Sequence, residues 1–275
     1  MIAWLYQFPS IVIIITPVFM ALLVCAAGPW IAHHVFRMKP DEERSAAAID
    51  GFKLVGPLTG VFTAFLLLQS ITKLNDARHL VESQAMNLLQ LDHSIGQVSN
   101  PEAYQARQAV RNYARSLVDY GWPAMRAMKP SADVETALNK LSNEVDSVAK
   151  SAPENHRLLQ SMSVDLGSVG DVQAQISAAA LGGLPQAFWL VQSVLLMLMA
   201  AQLAMVGPKW SQIAPLAGYS AALGLLIGLL FAMDRPFLGD ESADPTPIER
   251  AIMQLDLYAH LTAPPLQSVG LPPTR

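Results

Sequence analysis

LVGPLTGVFTAFLLLQSI, residues 54–71, running on into TKLNDARHL at 72–80, is the stretch that decides how the chain is read. A helix needs ~20 mostly apolar residues to cross a bilayer at 1.5 Å rise per residue. Residues 54–71 are short for that task, open on Gly56-Pro57, and carry Thr59, Thr63, Gln69 and Ser70. They suffice only if the helix continues into water. Residues 73–95 contain no Gly or Pro, and Leu74, Ala77, Val81, Ala85, Leu88 and Leu91 recur at helical spacing. One long helix is therefore expected from about Pro57 to Ile95, leaving the membrane partway along.

Three further apolar segments lie outward from it, at residues 11–32, 187–206 and 213–233. The composition agrees: 52% hydrophobic and 15% charged, against ~25% charged in soluble domains. No Lys, Arg, Asp or Glu occurs from Met1 to His34. The net charge of −4 singles out no acidic or basic partner, and no Lys/Arg cluster forms a nucleic-acid footprint. The single cysteine, Cys25, excludes an intrachain disulfide framework and reads as lipid-facing or packed. No basic residue precedes the first apolar run, which argues against a cleaved leader, and Val24 argues against a lipoprotein site at Cys25.

Between the second and third spans, residues 72–185 read as a water-soluble helical bundle, with no stretch alternating at period two. Asn100-Pro101-Glu102 is an N-cap, a first-turn proline and a favourable acid, opening a helix that runs to about Tyr120 and stops at Gly121-Trp122-Pro123. Ser131 opens another, reaching about Lys150, and the capping pattern Ser151 to Glu154 starts a last one toward Ala180. Residues 234–275 give an acidic loop, a short amphipathic helix from about Pro247 to Leu261, and a Pro-rich tail from Pro264 expected to be disordered. The fold class is all-α: four transmembrane helices, 1–71 forming a first hairpin and 186–233 a second, with the soluble domain inserted between them.

At ~100° per residue, Thr59, Thr63, Leu66, Ser70, Lys73 and Ala77 share one face of the second span, with Phe62 at its edge. Such a stripe faces either water or neighbouring helices. Around an axis of several copies it would line a pore, Leu66 and Phe62 making an apolar neck that gates by wetting, with Lys73 and Arg78 concentrating anions at its soluble end. Within one subunit the same hydroxyls would bond between helices. Ser220, Gly224 and Gly228, four apart on the fourth span, form a close-packing face. Asp234 and Arg235 mark the end of that span; Pro236 stops it, Phe237 anchors at the headgroups, and Arg235 with Asp76 is the candidate pair for a joint to the second helix. His33 and His34 point ~100° apart and cannot easily share a metal. Phosphate loops, Ser/His/Asp sets and His-Glu-x-x-His patterns are absent, as are membrane-embedded acids, so neither an enzyme nor a cofactor is expected.

Three stretches together resemble the bestrophin-like family of bacterial membrane proteins: residues 65–82 with Asn75-Asp76-Ala77-Arg78, residues 113–118 with Trp122-Pro123-Ala124-Met125, and Asp234-Arg235-Pro236-Phe237-Leu238-Gly239-Asp240 directly after the last span. The aromatic-rich run that bestrophins carry at the exit of the second helix is replaced by Leu74-Asn75. Asp240, Glu241 and Asp244 stand where animal bestrophins clasp calcium and are the calcium candidates. The resemblance implies a self-associating, pentameric protein of the bacterial inner membrane that conducts small anions such as chloride through its second helices. The other reading is a non-conducting sensor or scaffold whose soluble bundle binds a partner or ligand. Resemblance sets the soluble domain in the cytoplasm. The cation count opposes it, five (Arg37, Lys39, Arg44, Lys53 and Lys209) on the short loops against three (Lys73, Arg78 and Arg235), which favours the periplasm.

Overall fold

The computed structural model describes residues 10–34, 42–151, 153–207, 209–239 and 242–262. The elements are helices α1 (Ser10–His34), α2 (Glu42–Gly96), α3 (Pro101–Ser116), a π-helical turn (Leu117–Gly121), α4 (Trp122–Arg126), α5 (Ala132–Ser151), α6 (His156–Leu181), α7 (Gln186–Met205), α8 (Trp210–Met233) and α9 (Thr246–Thr262). No strand occurs among the described residues. Four helical stretches are long and apolar enough to span a membrane, within Ile11–Ile31, Glu42–Gly96, His156–Met205 and Trp210–Met233. The protein is thus an all-helical, multi-pass membrane protein.

Three helix boundaries differ from the sequence expectation, each for a local reason. The second helix begins at Glu42 rather than near Pro57 and runs 55 residues. Glu42 and Glu43 complement the helix dipole at its start, three successive alanines follow at 46–48, and a spanning helix accommodates the internal Pro57 because neighbours re-satisfy the freed backbone. The helix from Pro101 does not stop at Gly121-Trp122-Pro123. It widens into the π turn, where the Trp122 N–H reaches back five residues to the Leu117 carbonyl, and continues to Arg126. The helix expected from Ser151 opens instead at His156. The Ser151 hydroxyl donates to the Val148 carbonyl (2.9 Å) and accepts from the Asn100 amide (2.8 Å), so it closes α5 instead. The cap at Asn100 holds as expected, its Oδ1 accepting from Ala103 N at 2.7 Å.

The chain forms two compact units. The first takes residues 1–79, 125–129 and 175–244, the second 80–124, 130–174 and 245–275. In the first, α8 lies against α1 through glycine. A Cβ on Gly228 would stand 2.7 Å from Ile14 Cα, and one on Gly224 would stand 2.9 Å from Val18 Cα. The small-residue face therefore packs within the chain. Gly228→Leu is expected to lower the thermal midpoint in detergent by roughly 5–10 °C through overpacking against backbone. Gly218→Ala, where an added Cβ meets nothing within 4 Å, should leave it unchanged. Tyr219 of α8 packs over Gly56 and Gly60 of α2, donates to the Gly56 carbonyl and meets the Phe52 ring edge-on at 5.5 Å. Cys25 is buried in this core beside Met199, Leu203 and Leu223. At the α7–α8 loop, Ser45 Oγ accepts from Gly207 N and donates to Gln212, and Lys209 pairs with Glu42 at 2.6 Å on the surface.

In the second unit, α3 packs on α5 and α9. Ile248, Ala251 and Leu255 put one stripe of α9 into the core, and Arg115 binds Asp256 across to that helix. A polar seam runs inside. Tyr113 accepts from Gln84 Nε2 at 3.0 Å and donates to Gln173 at 3.3 Å, and burial pushes its phenol far above the usual range. Asp165 accepts from Gln90 (2.7 Å) and Ser94 (2.6 Å), while Asp92 takes Arg107 through both carboxylate oxygens at 2.9 and 2.8 Å.

Candidate functional site

The polar stripe of α2 is positioned by its own backbone. Thr59 donates to the Val55 carbonyl (2.8 Å) and Thr63 to the Thr59 carbonyl (2.7 Å), the usual refuge of hydroxyls on apolar helices. The Thr63 oxygen in turn accepts from Gln192 Nε2 of α7 at 3.1 Å. Leu66 is wholly buried with Leu184 and Leu230, and Phe62, Phe188 and Trp189 close over that cluster. Ser70 is buried too and has no hydrogen-bond partner.

The stripe, a pore-lining candidate for which contact between helices of one subunit is the other reading, accordingly faces inward. Thr59, Thr63, Leu66 and Ser70 are at most 1% exposed, covered by helices of the same chain, and Phe62 is half-buried against Phe188. The physical reason is the low dielectric of the spans. A hydroxyl in hydrocarbon gains most by meeting a second polar side chain, and Gln192 supplies it. Gln192, 1% exposed, went unnoticed at the sequence level, although a glutamine inside the apolar run 187–206 is the signal that marks it.

The opposite face of α2 is the open one. Leu54, Leu58, Val61, Phe65 and Leu68 are 47–78% exposed, and Thr72 follows them. Their spacing alternates four and three residues, the 3.5-residue repeat of helices that pack around a common axis. Arg78 is exposed beyond the end of this stripe.

At the end of the second span, Lys73, Asp234 and Arg235 gather on the segment between α6 and α7. Helix α6 ends at Leu181, leaving carbonyls that attract cations. Lys73 Nζ donates to the Gly183 carbonyl at 2.6 Å, and Arg235 Nη1 donates to Leu181 O (3.1 Å) and Gly182 O (3.0 Å). Asp234 accepts from the Leu184 N–H at 2.9 Å and lies 3.8 Å from Arg235 Nε. Arg235 therefore does not pair with Asp76, which is exposed. A Cβ on Gly183 would stand 3.0 Å from the guanidinium carbon, so a side chain there would press on Arg235. Lys73 is half-buried in this cradle rather than free at a pore mouth. Pro236 lies beyond the last turn of α8, and its carbonyl accepts from Ala243 N at 2.7 Å, folding the chain back over Phe237. Phe237, expected at the headgroups, is 2% exposed. Asp240 and Glu241 lie outside the described residues, as do residues 37, 39 and 264–275 and the side chains of His33 and His34. Among the described residues, Asp244 included, no group of three acids, histidines or cysteines is placed to hold a metal.

Against solved structures, the fold is similar to that of a bacterial bestrophin homologue from Klebsiella pneumoniae, with a TM-score of 0.65 at 14% identity over 88% of this chain and 98% of that one. A tryptophan-to-alanine variant of the Klebsiella pneumoniae homologue gives a TM-score of 0.66 at 16% identity, over 88% and 97%. A crystal structure described as a membrane protein with a proline-to-alanine substitution gives 0.67 at 14% identity, over 87% and 98%. No curated protein matches. The Bestrophin-like domain profile matches residues 19–248, nearly the whole described chain, and on that match the protein belongs to the bestrophin-like family.

Proposed function

We propose that the protein is a subunit of an oligomeric anion channel of the inner membrane in which α2 helices surround the axis and present their exposed stripe to it. The supporting observation is that stripe: Leu54, Leu58, Val61, Phe65 and Leu68 stand outward at the spacing of an axial seam while the polar face is used up inside the protomer. Five copies is the number the family resemblance implies. Rings of Val61, Phe65 and Leu68 would make an apolar neck that conducts when wetted, and such a neck favours weakly hydrated anions over small cations. Exposed Arg78 would raise the local anion concentration at its soluble end.

The test is anion flux from liposomes reconstituted with protein whose subunit number is first measured in mild detergent. Phe65→Ala is expected to widen the neck and raise flux several-fold, iodide more than chloride. Leu66→Ala, on the buried face, should act on stability and leave flux per folded oligomer near its original value. A monomer, or a well-folded oligomer without flux, overturns the channel. Flux indifferent to Phe65 moves the pore away from this face.

A further inference from the structure

Within the first unit, α1, α7 and α8 line an open-sided cleft of about 350 Å³ at the level of the spans. Its lining is apolar except at one point: Pro17 and Met20 come from α1, Met197 and Ala200 from α7, Leu223 and Ser220 from α8. Ser220 is 5% exposed, and its hydroxyl meets no oxygen or nitrogen partner, only the sulfur of Cys25. Four hydroxyls elsewhere in the spans show what it forgoes. Thr16, Thr59, Thr63 and Ser193 each return a hydrogen bond of 2.7–2.8 Å to the carbonyl four residues back. Ser220 does not; the Cys25 thiol, a weak acceptor, stands beside it. A buried hydroxyl met only by sulfur is poorly satisfied, and an apolar cleft around it does not hold water well.

The route in is lateral. Met20 and Met197 are 53% and 72% exposed on the outer side of the cavity, and unbranched thioethers yield readily to an entering molecule. Proline at 17 adds a position in α1 that lacks a backbone donor and disfavours close ladder bonding.

We infer that this chamber is a binding site for a small amphiphile drawn from the bilayer, a short hydrocarbon body carrying one hydroxyl or carbonyl oxygen that meets Ser220. The body replaces void with dispersion contacts, and the oxygen offers the Ser220 hydroxyl a stronger partner than the Cys25 sulfur. Apolar walls with one polar point give such a site preference for a mono-functional molecule over a plain alkane. The site is independent of conduction, and its test needs none.

The test uses the full-length protein in lipid nanodiscs with a diazirine-bearing octanol as photoprobe and 1-octanol as competitor. Adducts mapped by mass spectrometry are expected on peptides carrying Met20, Met197 and Leu223, and excess 1-octanol should remove them. Ser220→Ala should raise the octanol concentration needed for half-competition about fivefold, the effect of one neutral hydrogen bond, while leaving competition by octane unchanged. Ala200→Phe, which fills the chamber, should abolish the labelling in protein that elutes as the original oligomer. Labelling spread in proportion to lipid exposure, on Phe19 and Leu190 as much as on Met20, overturns the site. So does labelling that added phospholipid displaces and octanol does not, which would give the chamber to an acyl chain. Absence of labelling overturns it as well, and leaves the chamber to a neighbouring copy of the chain.

Discussion

Asp92→Ala should destabilise the second unit by about 3–5 kcal/mol, because it leaves the guanidinium of Arg107 in a site built for an ion pair. Asp92 is 4% exposed and Arg107 14%, and the two are joined by a two-pronged pair that holds the guanidinium's proton more tightly than usual. Set against the 5–15 kcal/mol stability of an ordinary domain, the loss is a large fraction of the whole. The Asp92→Leu, Arg107→Met double variant removes both charges and should recover most of it, since packing replaces the pair without stranding a charge. Thermal melts followed by circular dichroism in detergent decide the matter. Equal midpoints for the single and the double variant would show that the pair is not what holds this corner of the bundle.

Lys73→Met separates two roles for the residue at the end of the second span. As a cation seated on the Gly183 carbonyl at 2.6 Å, beside the end of α6, Lys73 contributes a charge-assisted hydrogen bond and a favourable dipole interaction. Its loss is then expected to lower stability by about 1.5–3 kcal/mol while anion flux per folded oligomer stays near its original value. A residue that concentrates anions would behave in the opposite way, with unchanged melting and flux that falls most at low ionic strength, where screening is weakest. Melting curves and flux at two salt concentrations, on the same preparation, distinguish them. Lys73→Arg should be close to neutral in melting if the carbonyl cradle is the whole of its role.

Much of the fold was legible because it rests on length and period. Residues 11–32, 187–206 and 213–233 announce themselves by unbroken apolarity, and α1, α7 and α8 lie over them. Helix starts and stops were harder. Pro57 and Gly121-Trp122-Pro123 carry local signals to end a helix, and both were overridden, one inside α2 and the other by a π turn. A sequence shows that Thr59, Thr63, Leu66 and Ser70 share a face, but not what that face meets. That depends on Gln192 and Leu230, which the intervening helices bring back from far along the chain. The contacts of Asp234 and Arg235 are hidden for the same reason. Asp234 and Arg235 at a span end point to a polar contact, yet their partners are backbone groups of residues 181–184, and a carbonyl looks the same in every sequence.

The hydrogen bond between Thr63 and Gln192 also bears on how the chain is made. The second span is the least apolar of the four, and its hydroxyls find their interhelical partner 129 residues downstream, roughly ten seconds of synthesis at ribosomal rates. During that interval the helix would sit in the bilayer with a polar flank unmatched, or wait beside the insertion machinery until α7 arrives to cover it. Its release into lipid is thereby tied to completion of the second hairpin. A ribosome stalled before residue 186 should hold α2 in crosslinking range of the translocon, whereas one stalled after residue 205 should let it go.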